Sequence, residues 1–213
     1  MAVITAPYLQ QVATWPKEGR SILAQYDERQ ITVYQAYRPA LGNFAVQYQY
    51  FGGEFQLDRM SWIKTSFFWM MYRSGWGTKP GQEVVLAIHI LREAFESILL
   101  GAVHSTFQKE IYGTYDVWKR LLAQSEVRLQ WDPDHSPYGG KIARRAIQIG
   151  LRGSFLARYA REWIVEIDDI SEFVREQREY VIKRQLDKLV TPKETVYPLS
   201  NPEIVKRIGL TSA

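Results

Sequence analysis

The chain has 213 residues, of which 46% are hydrophobic and 23% charged. This is the composition of an ordinary globular protein, and it excludes a disordered or collagen-like chain. The absence of cysteine excludes a disulfide framework, a thiolate metal site and a cysteine nucleophile. No apolar run approaches the roughly 20 residues of a membrane-spanning helix, and the N-terminus lacks the basic and apolar blocks of a secretory signal. We therefore expect a cytoplasmic protein that does not associate with membranes.

Hydrophobic periodicity and turn residues predict the elements of the first half of the chain. Residues 1–28 are predicted to be irregular because Pro7, Pro16 and Gly19 interrupt them. The regular elements that follow are a strand over 31–37, a short helix over 40–50, a helix that begins at Thr65 or Ser66 and ends before Gly75, and a buried strand over 84–90.

The second half of the chain mixes strands and helices without a regular alternation. Its predicted elements are helices over 92–104, 114–124 and 171–189, strands over 127–131, 146–151 and 163–168, and a last helix that begins at Asn201-Pro202. There is no glycine-rich phosphate loop, which argues against a doubly wound sheet. The sequence predicts a single α+β domain over 25–190 with a mixed or mostly antiparallel sheet and packed helices. An irregular segment over 1–24 precedes the domain, and a tail with a short helix over 191–213 follows it.

Cationic and aromatic residues are concentrated in the segment 59–83. Three of the seven tryptophans lie there at intervals of seven residues. A planar and cationic surface of this kind can stack on a base and hold a phosphate. The candidate substrate-binding residues in this segment are Arg59, Trp62, Lys64, Trp69, Arg73, Trp76 and Lys79. We predict that Arg73 lies in a concave pocket with Arg38, Arg59 or Lys79. The alternative is that the tryptophans fill the core and Arg73 forms a buried ion pair with an acid such as Glu83.

A second concentration of charge lies between Lys141 and Arg161. This stretch contains six basic residues and no acidic one, whereas the whole chain carries a net charge of only +4. Such a cluster suits a phosphate-bearing partner, and the candidate phosphate-binding residues are Arg144, Arg145 and Arg152. The alternative is a solvated basic surface, or arginines that pair with nearby acids.

Several strings of the sequence resemble the domain-of-unknown-function 4291 family: VYQAYRPA, FQLDRMSWIKTSFFWMMYRSGWGTKPGQEVVLAIHI, VRLQWDPD, RAIQIGL and EWIVEIDDI. The resemblance extends over roughly residues 25–173. It implies a single-domain protein of about this length and implies no particular activity. Thr65 stands where the family string has proline, and both residues suit the start of a helix.

Two functions from different classes remain open. The first is an enzyme that acts on a nucleotide or nucleic acid, because the order of elements is similar in outline to ADP-ribosyltransferase-like folds. That likeness implies Tyr34, Gln35 and Arg38 on an early strand, Glu166 on a late strand, catalytic roles for Arg38 and Glu166, and NAD as a cofactor. The second is a non-catalytic protein that binds a nucleotide or RNA. The sequence leaves the oligomeric state open.

Two further groups of polar residues have a structural interpretation beside a functional one. Strand alternation places Glu166 on the same side as Asp168, on a face that is either solvent or the wall of a cleft. The run Asp132-Pro-Asp-His135 offers oxygen and nitrogen ligands, but a turn explains it equally well. We therefore predict no metal site.

Overall fold

The computed structural model describes residues 3–211 of the chain. The strands are β1 (Thr5–Pro7), β2 (Gly19–Arg20), β3 (Leu23–Ala24), β4 (Gln30–Tyr37), β5 (Ser61–Lys64), β6 (Val84–Leu91), β7 (Ala102–His104), β8 (Val127–His135), β9 (Lys141–Leu151), β10 (Ile164–Asp169), β11 (Val190–Pro192) and β12 (Thr195–Val196). The helices are α1 (Tyr8–Thr14), α2 (Pro39–Tyr48), α3 (Phe67–Ser74), α4 (Arg92–Leu100), α5 (Lys109–Tyr112), α6 (Tyr115–Gln124), α7 (Gly153–Arg161), α8 (Ser171–Ile182) and α9 (Pro202–Ile208).

A mixed sheet forms the centre of the fold. Its strand order is β10-β6-β4-β5-β9-β8-β7, and β2 pairs with β9 beside this path. The pairs β7–β8 and β2–β9 are parallel, and the other pairs of this sheet are antiparallel. The structure therefore confirms an α+β domain with a mixed sheet. Within residues 3–211, no helix is long and apolar enough to cross a bilayer.

A row of paired residues crosses six strands of the sheet and defines one of its faces. Residues paired across strands point to the same side. In the order β10, β6, β4, β5, β9 and β8, the row consists of Asp168, Ala87, Tyr34, Lys64, Gln148 and Gln130. We call this side of the sheet the site face. In this row the residue on β6 is apolar, whereas the residues on β5, β9 and β8 are polar. The two halves of the site face therefore differ in polarity.

Helices cover both faces of the sheet, which buries two separate apolar cores. On the site face, side chains of α1, α3 and α8 pack against β4 and β6 in a cluster that includes Tyr8, Phe67 and Val174. On the other face, α2, α4, α7 and α9 contribute to a larger cluster that includes Phe95 and Tyr159. The sheet is therefore the middle layer of three, as expected for strands that are buried on both sides.

Three buried ionisable residues fix the start of α3, and we call them the polar anchor: Asp134, Arg144 and Glu194. Burial raises the pKa of the Glu194 carboxyl well above its ordinary value. Arg144 donates to the Asp134 carboxylate through Nε at 3.0 Å and through Nη2 at 2.6 Å. Asp134 also accepts a hydrogen bond from the Ser66 hydroxyl at 3.1 Å, and Ser66 caps α3. Glu194 accepts from the Phe67 backbone N–H at 2.7 Å. Each contact satisfies a group at the beginning of α3, so the anchor sets where this helix leaves the sheet.

Most predicted elements are confirmed, with several corrections, and the helices α5 and α7 are not among the predicted elements. The segment before residue 25 is not irregular, because β1 pairs with β11 and β3 pairs with β12. The helix predicted over 92–104 ends at Leu100 and is followed by β7. The long helix predicted over 171–189 ends at Ile182. The strand β5 was missed, because its four residues lie beside the helix-like pattern of α3. Residues 1, 2, 212 and 213 of the predicted terminal segments lie outside the described residues.

We expect Arg144→Met to destabilise the protein by about 3–5 kcal/mol, because it leaves the Asp134 carboxylate buried without its partner. Arg145→Met is the matched control, since the neighbouring arginine on β9 is exposed and its replacement should change the free energy of unfolding by at most about 0.5 kcal/mol. Chemical denaturation of both variants measures the difference. Equal losses for the two variants would show that the ion pair does not stabilise the fold.

Candidate functional site

A cleft opens on the sheet where β4 and β5 separate. These strands pair at Tyr34 and Lys64, and the cleft lies towards Tyr37 and Ser61. Its inner compartment has a volume of about 440 Å³. The lining combines polar, cationic and apolar side chains from four elements and their loops: Gln35, Ala36, Tyr37, Met60, Ser61, Trp62, Lys64, Met70, Arg73, Gln82 and Gln148.

Lys64 lies at the end of β5 in the floor of this compartment and is 5% exposed. Its ammonium group donates to the Trp62 carbonyl at 3.4 Å and lies 5.8 Å from the centre of the Trp69 ring. No ion pair among the described residues involves it. Burial and, to a smaller extent, the nearby charge of Arg73 lower the pKa of Lys64 to about 8, while Asp132 partly opposes both. The site therefore holds an amine that is easily deprotonated.

Arg73 reaches the same compartment from the last turn of α3. It is exposed, and within residues 3–211 it forms no ion pair. The described lining of the compartment contains no aspartate or glutamate. Two cations thus share one concave surface without a carboxylate between them, which is an arrangement that attracts an anion.

A network of hydrogen bonds holds one wall of the cleft. The amide of Gln35 donates to the Ser61 hydroxyl at 2.8 Å and to the Trp62 carbonyl at 3.2 Å. Its carbonyl accepts from the Tyr159 hydroxyl at 2.8 Å, and the hydroxyls of Tyr37 and Ser61 lie 3.1 Å apart. Because these bonds bridge the gap between β4 and β5, they keep the cleft open at a fixed width.

Trp62 and Met60 lie over β9 because Gly150 has no side chain. A Cβ at Gly150 would lie 2.5 Å from the Met60 sulfur and 3.0 Å from Trp62 Cε2. This close approach places both side chains at the rim of the inner compartment. Gln148, two residues earlier on β9, donates to Gln130 at 2.7 Å and to Asp132 at 2.6 Å.

An outer compartment of about 510 Å³ adjoins the inner one. The two share Tyr37, Met60 and Ser61 in their linings. The outer compartment contains Arg38, which pairs with Glu54, and Arg59. We predicted Arg38, Arg59 or Lys79 as the cation beside Arg73. The structure instead brings Lys64 to Arg73 and places Arg38 and Arg59 in the neighbouring compartment.

A family model described as "Domain of unknown function (DUF4291)" matches residues 21–197. The chain belongs to the DUF4291 family. The match includes every residue that lines the two compartments of the cleft, and it agrees with the resemblance noted over 25–173. No curated protein matches the chain.

The other aromatic residues predicted as ligand contacts in this DUF4291 protein pack in the core. Tyr34 and Trp69 are buried. Trp76 packs on Phe67 and Phe68, and its indole N–H donates to the Pro137 carbonyl at 3.2 Å. The Lys79 ammonium group donates to the carbonyls of Tyr72 and Arg73 and so caps α3. The core interpretation therefore describes Tyr34, Trp69 and Trp76, and Lys79 is an exposed cap of α3, whereas Trp62, Lys64 and Arg73 line the cleft. Arg73 forms no ion pair with Glu83.

Two of the three predicted phosphate-binding arginines have structural contacts. Arg144 is 3% exposed and belongs to the polar anchor, stacked 5.1 Å from the centre of the Trp15 ring. Arg152 donates to the carbonyls of Ala123 and Ser125 at the end of α6. Burial of Arg144 against Asp134 leaves it little access to a ligand, whereas the phosphate-binding roles of Arg145, which is exposed, and of Arg152 stay predictions.

Glu166 lies outside the residues that line either compartment. On β10 it pairs with His89 of β6, after a register shift that follows Ile164. His89 contacts Thr32 Oγ1 at 2.9 Å and Asp168 Oδ2 at 3.0 Å, and burial lowers the pKa of its imidazole. One ligand atom each from His89, Glu166 and Asp168 lie within 4.8 Å of one another, so these residues could hold a divalent cation. The predicted ADP-ribosyltransferase-like arrangement has no support here, because Arg38 and Glu166 do not line one cleft.

The sequence interpretation missed several lining residues, of which Gln148 and Ser61 carried a usable signal. Gln148 is a polar residue inside the apolar string RAIQIGL. Ser61 belongs to the short strand Ser61–Lys64, in which Ser61, Trp62 and Lys64 all line the cleft. Asp132 and His135 are not in a turn, since β8 continues to His135.

We expect Lys64→Met to stabilise the protein near pH 7 by about 1–3 kcal/mol, because it removes a buried charge whose pKa in the fold is far below its ordinary value. In the unfolded chain Lys64 holds its proton up to about 10.5, but in the fold only up to about 8. The cost of the charge is therefore complete below pH 8 and shrinks as the pH rises towards 10.5. Chemical denaturation near pH 7 and near pH 9.5 tests this expectation.

Lys188→Met is the control for this experiment, since Lys188 is exposed. Lys188→Met should leave the free energy of unfolding nearly unchanged at both pH values. A Lys64→Met variant that is less stable than the wild type near pH 7 would show that the ammonium group has a stabilising partner.

Proposed function

We propose that this protein binds the phosphate group of a nucleotide, or of a nucleic-acid end, in the inner compartment of the cleft. The observation that supports the proposal is the shared position of Lys64 and Arg73 beside a described lining without carboxylates. Partial burial strengthens the attraction for an anion, because the effective dielectric constant is lower than in water. Lysine supplies a compact charge, and arginine supplies a planar donor fork that matches a phosphate.

Trp62 supports a ligand that carries a base beside its phosphate. Its half-buried ring lies at the rim of the inner compartment, next to the flexible apolar side chain of Met60. Stacking of a base on an aromatic side chain contributes about 1–3 kcal/mol. A nucleotide therefore fits the chemistry of the cleft better than a simple inorganic anion.

The outer compartment supports a ligand with more than one phosphate. Arg59 is exposed there and donates to Gln56 at 3.2 Å, and Arg38 is paired with Glu54. A dinucleotide such as NAD, or two residues of a single strand, would extend from the inner to the outer compartment. An enzymatic reaction on such a ligand stays a prediction, as does a cytoplasmic location.

Arg73→Gln should weaken nucleotide binding at least about tenfold, since a charge-assisted contact to phosphate contributes more than about 1.4 kcal/mol. Calorimetry and tryptophan fluorescence with pyrophosphate, ADP, ATP, NAD and a short RNA provide the measurement. Arg175→Gln is the matched control, because Arg175 is an exposed arginine on α8 and should leave the affinity unchanged. Trp62→Leu should reduce the affinity for ADP and leave that for pyrophosphate nearly constant.

Two results would contradict the proposal. One is the absence of binding to every phosphate ligand at low salt, and the other is equal affinity of the wild type and Arg73→Gln. If RNA alone binds, the ligand is a polymer that occupies both compartments. In that case Arg59→Gln should reduce the slope of log affinity against log salt by about one phosphate contact.

A further inference from the structure

We propose that Lys64 condenses with the carbonyl group of a phosphorylated aldehyde, such as an open-chain sugar phosphate, while Arg73 holds the phosphate. This inference rests on the proposed function and narrows the substrate class of the same cleft. It is carried by the burial of the Lys64 amine, by its position in the cleft floor, and by the composition of the lining around it.

The amine of Lys64 is nucleophilic under ordinary conditions. Lys64 is buried within the lining, and no described carboxylate forms an ion pair with it. The charged groups that act on it are Arg73 from α3 and Asp132 from β8. With a pKa of about 8, about one amine in ten is neutral at pH 7, against about one in 3,000 for an ordinary lysine. Desolvation next to another cation is a known way to activate an amine.

A phosphate clamp alone does not explain why a lysine is buried at this position. An arginine would serve a phosphate equally well and would keep its charge at every pH. Condensation with a carbonyl group needs only a neutral amine and a route for water, so it fits the residues that are present.

The chemistry balances without an oxidant or a metal. The lone pair of Lys64 Nζ attacks the carbonyl carbon, and a proton moves from nitrogen to oxygen to give a carbinolamine. Loss of the hydroxyl group with a second proton forms the C=N bond, so one amine and one aldehyde become one imine and one water. Because the positive charge of Arg73 lies beside the site, it favours an anionic substituent on the aldehyde over a neutral one.

The remaining polar groups suit a sugar. Both amide hydrogens of Gln148 are used by Gln130 and Asp132, so the group that Gln148 offers to a ligand is its carbonyl oxygen, an acceptor for a hydroxyl. Gln35 is held by three contacts, whereas Ser61 and Tyr37 present hydroxyls at the wall. A volume of about 440 Å³ is within the range of small-molecule sites.

Reductive trapping of the full chain tests the proposal directly. The protein is incubated with pyridoxal 5′-phosphate, reduced with borohydride, and mapped by peptide mass spectrometry. We expect Lys64 to be the first lysine labelled, with a rate that rises with pH around a midpoint near 8. Pyridoxal, which lacks the phosphate, should label Lys64 at least about tenfold more slowly, and inorganic phosphate should compete with the phosphorylated probe.

Variants separate the roles of the two cations. Arg73→Gln should slow the labelling of Lys64 at least about tenfold and remove the advantage of pyridoxal phosphate over pyridoxal. Arg175→Gln should change neither rate. Labelling spread over exposed lysines, equal rates with the two probes, or an unchanged rate in Arg73→Gln would each overturn the proposal. These results come from the wild type as well as from variants, so they do not depend on how Lys64→Met folds.

Two natural sources of the substrate are distinguished by two further trapping reactions. One uses ribose 5-phosphate, and the other uses an oligonucleotide that contains one abasic site, whose open-chain sugar is an aldehyde flanked by phosphates. A covalent adduct on Lys64 with either supports the proposal and identifies its source. If nucleotides bind but no aldehyde is trapped on Lys64, the imine is excluded while the proposed phosphate site stands. If aldehydes are trapped and no nucleotide binds, the nucleotide assignment is wrong instead.

Discussion

The buried ion pair between Arg144 and Asp134 is the contact on which the candidate site depends. Asp134 holds the Ser66 hydroxyl, and Ser66 begins α3. Glu194 accepts a hydrogen bond from the backbone N–H of Phe67, the first residue of α3. Removal of one member of a buried pair leaves an uncompensated charge, so the direction of α3 is determined by charges that never reach the cleft. Arg73 lies at the far end of the same short helix, so its position depends on the residues that fix the start of α3.

The cleft combines a rigid frame with an electrostatically unfavourable floor. Hydrogen bonds from Gln35 and Tyr159 fix the wall. Lys64 is buried next to Arg73, and the negative charge of Asp132 offsets the resulting decrease of the Lys64 pKa only in part. Placing two like charges close together costs free energy in the absence of a ligand. Conflicts of this kind between local energetics and the fold are expected at functional sites.

The sequence predicts the framework well and the site in part. Periodicity and caps predict α3 with its Ser66 cap and Gly75 end, because those signals are local. Composition also indicates Lys64 and Arg73, since cations and aromatics are concentrated in one segment. Local sequence signals do not show which residue each charged side chain contacts in the fold. Arg144 and Arg73 look alike in the sequence, yet one is buried against Asp134 and the other is exposed at the cleft, because strands far apart in the chain become neighbours.

The tertiary arrangement also decides between residues of one segment. Trp62 and Trp69 are seven residues apart, but the first lies on β5 over Gly150 and the second on the buried side of α3. A regular spacing suggested a shared surface, whereas the change from strand to helix between them separates the two rings. The sequence similarly placed Glu166 and Arg38 in one hypothetical site, although the sheet order keeps them in different surroundings.

Glu194 has a consequence for the order in which the protein acquires its shape during synthesis. The cleft is lined by residues between 35 and 148, which leave the ribosome long before residue 194. Until Glu194 arrives, the Phe67 N–H lacks its acceptor and the beginning of α3 lacks one of its two supports. The nascent chain therefore exposes Lys64 and Arg73 without fixing their geometry. The geometry of the cleft is therefore complete only after the segment that carries Glu194 has docked against the start of α3.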